Sequence, residues 1–121
     1  MRDRRNFRDF WPYYLQEHAR PGTRAMHYAG TSLVVLLTCA LPFASRWWMT
    51  AALPLAGYGF AWLGHSLFEH NRPATFRHPV WSLRADFLMW FRFLTGRMPQ
   101  ELALAGVRPD GSVDPARRRD L

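Results

Sequence analysis

The chain has 121 residues, of which 49% are hydrophobic and 16% aromatic, and its formal net charge is +7. A chain of this length builds one small domain, and its positive charge favours an anionic partner, either nucleic acid or a membrane surface. No nucleic-acid motif accompanies the arginines and the aromatic residues lie in apolar stretches, so a membrane surface is the better interpretation. The single cysteine, Cys39, excludes an intramolecular disulfide and argues against a zinc–thiolate site.

The N-terminal segment predicts an amphipathic helix that lies in the membrane interface. Its apolar side chains follow helical spacing and are Phe7, Phe10, Trp11, Tyr14 and Leu15. The position of Pro12 predicts that regular helix begins near Phe10 or Trp11, with Asp9 as its cap. The pair Pro21-Gly22 then breaks the chain before the next helix.

Two uncharged runs predict a hairpin of two transmembrane helices. They extend from Ala25 to Ser45 and from Trp47 to Phe68, and each reaches the roughly 20 residues that cross a bilayer core. Only Arg46 separates them, so the helices must be antiparallel neighbours. Gly57 and Ala61 have the small-xxx-small spacing that lets two helix backbones approach closely, and a proline within the second run predicts a kink. A soluble protein with a wholly buried hairpin is the alternative.

The arginines predict the orientation of this hairpin. Six precede the first run, one lies in the turn and nine follow the second run, so the positive-inside rule puts both termini in the cytoplasm. We therefore expect an integral protein of the bacterial inner membrane.

The remaining chain completes an all-α prediction. Residues 79–95 predict a further amphipathic helix, too charged to span, that lies in the headgroup layer. Its apolar side carries Val80, Leu83, Phe87, Trp90 and Leu94. Residues 1–98 are thus expected to form a single membrane-embedded helical domain. Residues 99–121 are interpreted as a polar, loosely ordered tail with a turn at Pro109-Asp110-Gly111.

The histidines provide the candidate chemistry. His27 lies near the start of the first predicted span and His65 near the end of the second, and in an antiparallel hairpin those ends share one membrane face. The break after residue 20 can fold His18 back toward them, and Glu69 follows His65 on the same helix face. Three imidazoles and a carboxylate can therefore converge at one membrane boundary.

This ligand set suits a first-row metal. Imidazole and carboxylate with open positions are used by non-haem Fe(II) sites that react with oxygen, and zinc is the alternative metal. The other interpretation is that these residues are polar groups meeting lipid headgroups. His70 ranks second as a ligand. Asp86 is considered as a fourth ligand or as a partner of a ligand, with pairing to Arg84 as the alternative.

Three segments resemble a family of small membrane proteins, formerly a domain of unknown function. They are Phe10 to His18, His27 to Thr31 and Gly64 to Ala74, and the resemblance covers roughly residues 7–98. The most specific piece is the block G-H-x-x-F-E-x-x-R-P-A, which begins at Gly64. The fungal member is an endoplasmic-reticulum Fe(II)-dependent dioxygenase of 2-hydroxy fatty acids, and this chain is more similar to the short bacterial branch.

The resemblance implies an activity and a site. It implies Fe(II)-dependent alpha-oxidation, in which a 2-hydroxy fatty acid and O2 give an acid one carbon shorter. The implied metal ligands are His18, His27, His65 and Glu69. Arg72 or Arg24 is then a candidate to bind the substrate carboxylate. The alternatives are a non-catalytic scaffold that binds anionic membrane lipid and another metal-dependent lipid-modifying enzyme.

Overall fold

A computed structural model of the chain describes residues 6–44, 46–70 and 78–118. The helices within these ranges are α1 (Phe7–Gln16), α2 (Pro21–Ala44), α3 (Trp47–Pro54), α4 (Phe60–Gly64), α5 (Pro79–Leu94) and α6 (Met98–Leu104). Two π-helical segments, π1 (Leu55–Gly59) and π2 (His65–Glu69), flank α4. The all-α class is confirmed for the described residues, where extended pairing is limited to an isolated bridge between Val107 and Val113.

Helix α1 begins earlier than the sequence suggested and packs inside the protein. Asn6 is its N-cap, because the Asn6 side chain accepts a hydrogen bond from the Asp9 N–H at 2.9 Å. Pro12 lies within the helix, where it removes one backbone donor. The apolar stripe is buried, with Phe10 and Leu15 at 0% exposure. The expectation that this stripe lies in the membrane interface is therefore wrong, since the rest of the protein covers it.

The predicted antiparallel pairing of the two apolar runs is present. The early part of the second run packs against the middle of α2, where Ala56 contacts Gly30 and Gly57 contacts Val34. Gly64, further along the second run, contacts Thr23 near the start of α2, as antiparallel helices require. The second run keeps helical dihedral angles from Trp47 to Glu69 but changes from α to π geometry directly after its proline. A proline that cannot donate its backbone N–H accounts for a change of helix type at that point.

Among the described helices, one is long and apolar enough to cross a membrane. It comprises residues Pro21–Phe43 with a mean hydropathy of 1.4, and only 17% of that window is buried inside the protein. A core helix of a soluble protein would be mostly buried, so its bare sides favour lipid as the surroundings. The turn is equally uncovered, with Phe43 at 92% and Trp47 at 84% exposure. The second run is divided into shorter helical segments, and its crossing of the membrane stays a prediction.

Helix α5 has the predicted bounds to within one residue and lies across α1 and α2. Its buried side consists of Ser82, Ala85 and Met89. Most of its predicted apolar side faces outward, where Val80 is 76% exposed. Trp90 is half-buried and donates from its indole N–H to the Ser32 hydroxyl at 2.9 Å. Much of the apolar face of α5 is thus available to lipid.

The segment after α5 is folded against α1. The interpretation of residues 99–121 as a loosely ordered tail is corrected for residues 99–118, because helix α6 leads into a turn whose Ala105 and Val107 are buried in the core. The buried amide of Gln16 donates to the backbone carbonyls of Ala105 at 2.9 Å and Arg117 at 2.8 Å. The predicted turn at Pro109-Asp110-Gly111 is present. The assignment of residues 1–98 to a single membrane-embedded helical domain stays a prediction.

Candidate metal centre

Three imidazoles from distant parts of the chain meet in the interior. His18 lies in the turn after α1, His27 lies on α2, and His65 begins π2. The Nε2 atom of His18 is 3.0 Å from Nε2 of His27 and 3.0 Å from Nε2 of His65. All three residues are buried, with exposures of 1%, 5% and 1% in chain order. Within the described chain, these three form the cluster whose ligand atoms could hold a metal ion.

The hydrogen bonds made by Nδ1 of His18 and His27 determine whether Nε2 of each ring carries a proton or a free lone pair. His18 Nδ1 is 2.7 Å from the carbonyl oxygen of Tyr14, and His27 Nδ1 is 3.0 Å from that of Thr23. A carbonyl oxygen only accepts, so each Nδ1 must carry the proton and donate it. The Nε2 atoms of two neutral rings therefore turn their lone pairs toward each other at 3.0 Å.

Two facing lone pairs require a cation between them. A proton is one possibility, but burial holds the pKa of His18 well below its usual range, and the neighbouring His27 and His65 lower this pKa further. A metal ion is the other, because a metal bonded to two imidazole nitrogens at about 2.0–2.1 Å brings those nitrogens within about 3–3.5 Å of each other. The donor set and its spacing therefore fit a first-row metal.

Close backbone packing brings His27 and His65 together. At Gly64, an added Cβ would lie 3.2 Å from the Thr23 carbonyl oxygen, and at Gly30 it would lie 2.7 Å from the Ala56 carbonyl oxygen. Both histidines are within three residues of one of these glycines. The two helix backbones therefore approach closely on either side of the histidine cluster, which allows short imidazole side chains to meet between them.

Glu69 has a different environment from the three histidines. Its carboxylate accepts the backbone N–H of Arg20 at 2.5 Å and also interacts with the Thr23 hydroxyl, so it caps the start of α2. Burial raises the pKa of this carboxyl, although the Arg20 N–H opposes the shift. The carboxylate is outside the cluster of converging ligand atoms. Its assignment as a metal ligand stays a prediction.

The other predicted site residues differ in how they relate to the cluster. His70 ends π2 in a left-handed conformation, with φ 59°, and is exposed. Arg72 lies outside the described residues. Arg24 is half-buried, and its Nη1 donates to the carbonyl oxygens of His18 and Ala19, each at 2.8 Å. It also lines a cavity of about 540 Å³ with mostly apolar walls.

Tyr14 contacts His18 directly, and Asp86 is linked to His18 through Tyr14. The Tyr14 ring stacks on the His18 ring, with centroids 4.1 Å apart, and the Tyr14 hydroxyl donates to Asp86 on α5. The sequence offered Asp86 as a candidate, but nothing in it indicated Tyr14 as the partner. The alternative pairing of Asp86 is not what the contacts favour, because the Arg84 guanidinium lies over the Phe7 ring at 4.1 Å.

Fold and site together define a helical protein with one bare apolar helix of membrane-spanning length and a buried three-histidine centre suited to a metal. The family model described as 2-hydroxy-palmitic acid dioxygenase Mpo1-like matches residues 4–98, and the chain belongs to this family. The match includes all three histidines. No curated protein and no solved structure matches the chain.

Proposed function

We propose that the protein is an Fe(II)-dependent dioxygenase that shortens 2-hydroxy fatty acids by one carbon. The observation that carries this proposal is the buried trio of Nε2 atoms, with two lone pairs facing each other at 3.0 Å. Membership of a family described by a 2-hydroxy-palmitic acid dioxygenase supports the substrate class. Iron, when bound, would provide the redox chemistry by which O2 reacts.

The proposed reaction balances without an additional reductant. A 2-hydroxy acid, R–CHOH–COOH, and O2 give R–COOH, CO2 and H2O. The bond between the carboxyl carbon and the hydroxyl-bearing carbon breaks, and the four electrons that O2 takes up all come from the substrate.

The chain's own groups have separate tasks in this proposal. His18, His27 and His65 bind the metal through Nε2. The backbone carbonyls that accept from Nδ1 of His18 and His27 keep those two rings in the required tautomer. Three protein nitrogens leave coordination positions for the substrate and O2. The low exposure of the trio limits the access of bulk water to the reaction.

Arg24 is our candidate to bind the substrate carboxylate. Its guanidinium lies beside the His18 segment and at the edge of a cavity of about 540 Å³. Charge and apolar walls in one cavity suit a carboxylate attached to an acyl chain. Arg24→Gln should raise KM for the acid more than it lowers kcat.

The membrane placement completes the proposal. We propose that α2 and the returning helix cross the bacterial inner membrane with both termini in the cytoplasm, as the arginines indicate. The metal centre lies at the open end of the hairpin, away from its exposed turn. A fatty acid could then keep its tail in the bilayer while its polar end reaches the centre.

Iron analysis and product analysis of the purified protein test this function. Wild type should bind iron and convert a 2-hydroxy acid into the acid one carbon shorter, whereas His65→Ala should lose both properties. His70→Asn is the matched control, because His70 is exposed and asparagine tolerates its left-handed backbone. Glu69→Gln distinguishes two roles of Glu69. If Glu69 is a metal ligand, this variant should lose iron, and if it only caps α2, the variant should keep it.

Each rival outcome points to a different protein. Iron-loaded protein that modifies the acid without shortening it would be another metal-dependent lipid-modifying enzyme. A third outcome would indicate a scaffold that binds anionic lipid. In that case the wild type binds no iron and does not shorten the acid, and lipid association survives removal of all three histidines.

A further inference from the structure

His18 is the central member of the metal centre and also the least supported by the hairpin. Its Nε2 takes part in both of the 3.0 Å contacts, so the orientation of this single ring sets two of the spacings between the three imidazoles. His27 and His65 belong to helical segments that pack closely together. His18 lies in the turn after α1, outside the hairpin, so the packing of the two hairpin helices does not by itself fix its ring.

The Tyr14 side chain covers one face of His18. The two rings stack with centroids 4.1 Å apart and an interplanar angle of 27°. Trp11 also stacks on Tyr14, with centroids 5.7 Å apart and an interplanar angle of 10°. The Trp11 indole N–H donates to Glu101 on α6 at 3.0 Å. The Tyr14 ring therefore packs against two other rings.

The hydroxyl of Tyr14 is hydrogen-bonded to helix α5. It donates to the Asp86 carboxylate, and Asp86 is 72 positions further along the chain on α5. Tyr14 is 1% exposed, so the Asp86 carboxylate that accepts its hydroxyl is shielded from water at this contact. A carboxylate shielded in this way is stable only when it keeps a hydrogen-bond partner, which the Tyr14 hydroxyl provides. This contact fixes the ring that lies on His18 to a helix outside the hairpin.

We propose that Asp86 and Tyr14 form a positioning pair for the metal centre, in which Asp86 anchors the Tyr14 hydroxyl and the Tyr14 ring holds the His18 imidazole in its metal-binding orientation. The inference rests on the proposed metal site. It assigns α5 a part in assembling that site, although α5 provides none of the three imidazoles. Neither residue needs to touch the metal or the substrate.

Binding of cobalt(II) to the purified protein in detergent tests the pair. Cobalt(II) replaces iron as the probe, because its visible absorption reports coordination geometry. Tyr14→Phe keeps the ring and removes the hydroxyl that Asp86 anchors. Asp86→Leu removes the acceptor while keeping the same branched side-chain shape. Both should weaken cobalt(II) binding by roughly tenfold and change the absorption bands. The double variant should lose no more than either single variant, since the two residues act through one contact.

Two controls separate positioning from general stability. Asp86→Asn keeps an oxygen that accepts from the Tyr14 hydroxyl, so it should retain the wild-type affinity and spectrum. Tyr13→Phe removes a hydroxyl from the neighbouring buried tyrosine, whose ring packs against Phe10, and should leave cobalt(II) binding unchanged.

The proposal is overturned if Tyr14→Phe and Asp86→Leu bind cobalt(II) with wild-type affinity and spectrum while only their melting temperatures fall. A wild-type protein that binds no cobalt(II) and no iron would overturn the metal site itself, and the positioning pair with it. Wild-type binding without shortening of the acid would remove the proposed activity but leave the positioning pair supported by the affinity measurements.

Discussion

At Gly30, the backbones of α2 and π1 are close enough that adding one methyl group should force them apart. In Gly30→Ala, the new Cβ would lie 2.7 Å from the Ala56 carbonyl oxygen and 3.0 Å from Phe60 Cβ. Ordinary contact begins at 3.4 Å, so α2 and π1 must separate by about 0.7 Å. A backbone carbonyl within a helix cannot turn away as a flexible side chain can, so the helix itself has to move. Overpacking of this kind costs about 1–3 kcal/mol of folding free energy.

The same displacement should weaken metal binding at the proposed centre. His27 is three residues from Gly30, and metal–ligand distances tolerate deviations of only about 0.2 Å. We expect Gly30→Ala to lower cobalt(II) affinity by at least about tenfold, which corresponds to about 1.4 kcal/mol. Titration with cobalt(II) and denaturant unfolding in the same detergent measure both effects.

Gly59→Ala is the matched control in the same hairpin. An added Cβ at Gly59 meets nothing within 4 Å. Alanine is the better helix former, so this variant should be as stable as wild type or more stable by up to about 1 kcal/mol. If Gly30→Ala matches Gly59→Ala in both stability and metal affinity, the argument from close packing is refuted.

Three further predictions concern the surroundings of the site. Burial raises the pKa of Asp86 from 3.8 to about 7, so the folded protein binds the proton more tightly than the unfolded chain, and the free energy of unfolding should fall as pH rises from about 4 to 7. Unfolding at pH 4.5 and at pH 8 should differ by about 3 kcal/mol through this group, and Asp86→Asn should remove that difference; equal pH dependence in both proteins would contradict it. Deleting residues 105–121 leaves the buried Gln16 amide without two of its acceptors and should cost about 2 kcal/mol or more, measured by denaturant unfolding; unchanged stability would mean that the segment is dispensable. Trp90→Phe loses the hydrogen bond to Ser32 and should cost about 1 kcal/mol while cobalt(II) affinity stays at the wild-type value; a loss of affinity would show that this contact also supports the metal centre.

The sequence predicted the features that depend on connectivity and local pattern. Two apolar runs separated by one charged residue can only pair as antiparallel neighbours, and this brought His27 and His65 to the same end of the hairpin. The helix that begins at Pro79 followed from the backbone limits of proline, whereas the chain break predicted at Pro21-Gly22 lies at residues 17–20, and Pro21 is the first residue of α2.

Other features could not be predicted because they depend on which surface meets which. The stripe on α1 looks the same in a sequence whether lipid or protein covers it, and only the packing of α5 and of residues 105–107 showed that it is core. The same holds for the tail, where Ala105 and Val107 are buried in the core cluster that includes residues of α1.

The site itself divides in the same way. The histidines could be identified from their spacing and from the family resemblance, whereas the direction of each ring nitrogen, the cap formed by Glu69 and the contact between Tyr14 and Asp86 needed the folded chain. Local sequence limits the backbone over a few residues, but a hydrogen bond between side chains 72 positions apart exists only when the packing of whole helices brings two atoms within reach. The sequence therefore determined which groups are present and along which helices they lie, and tertiary packing decided which of them meet.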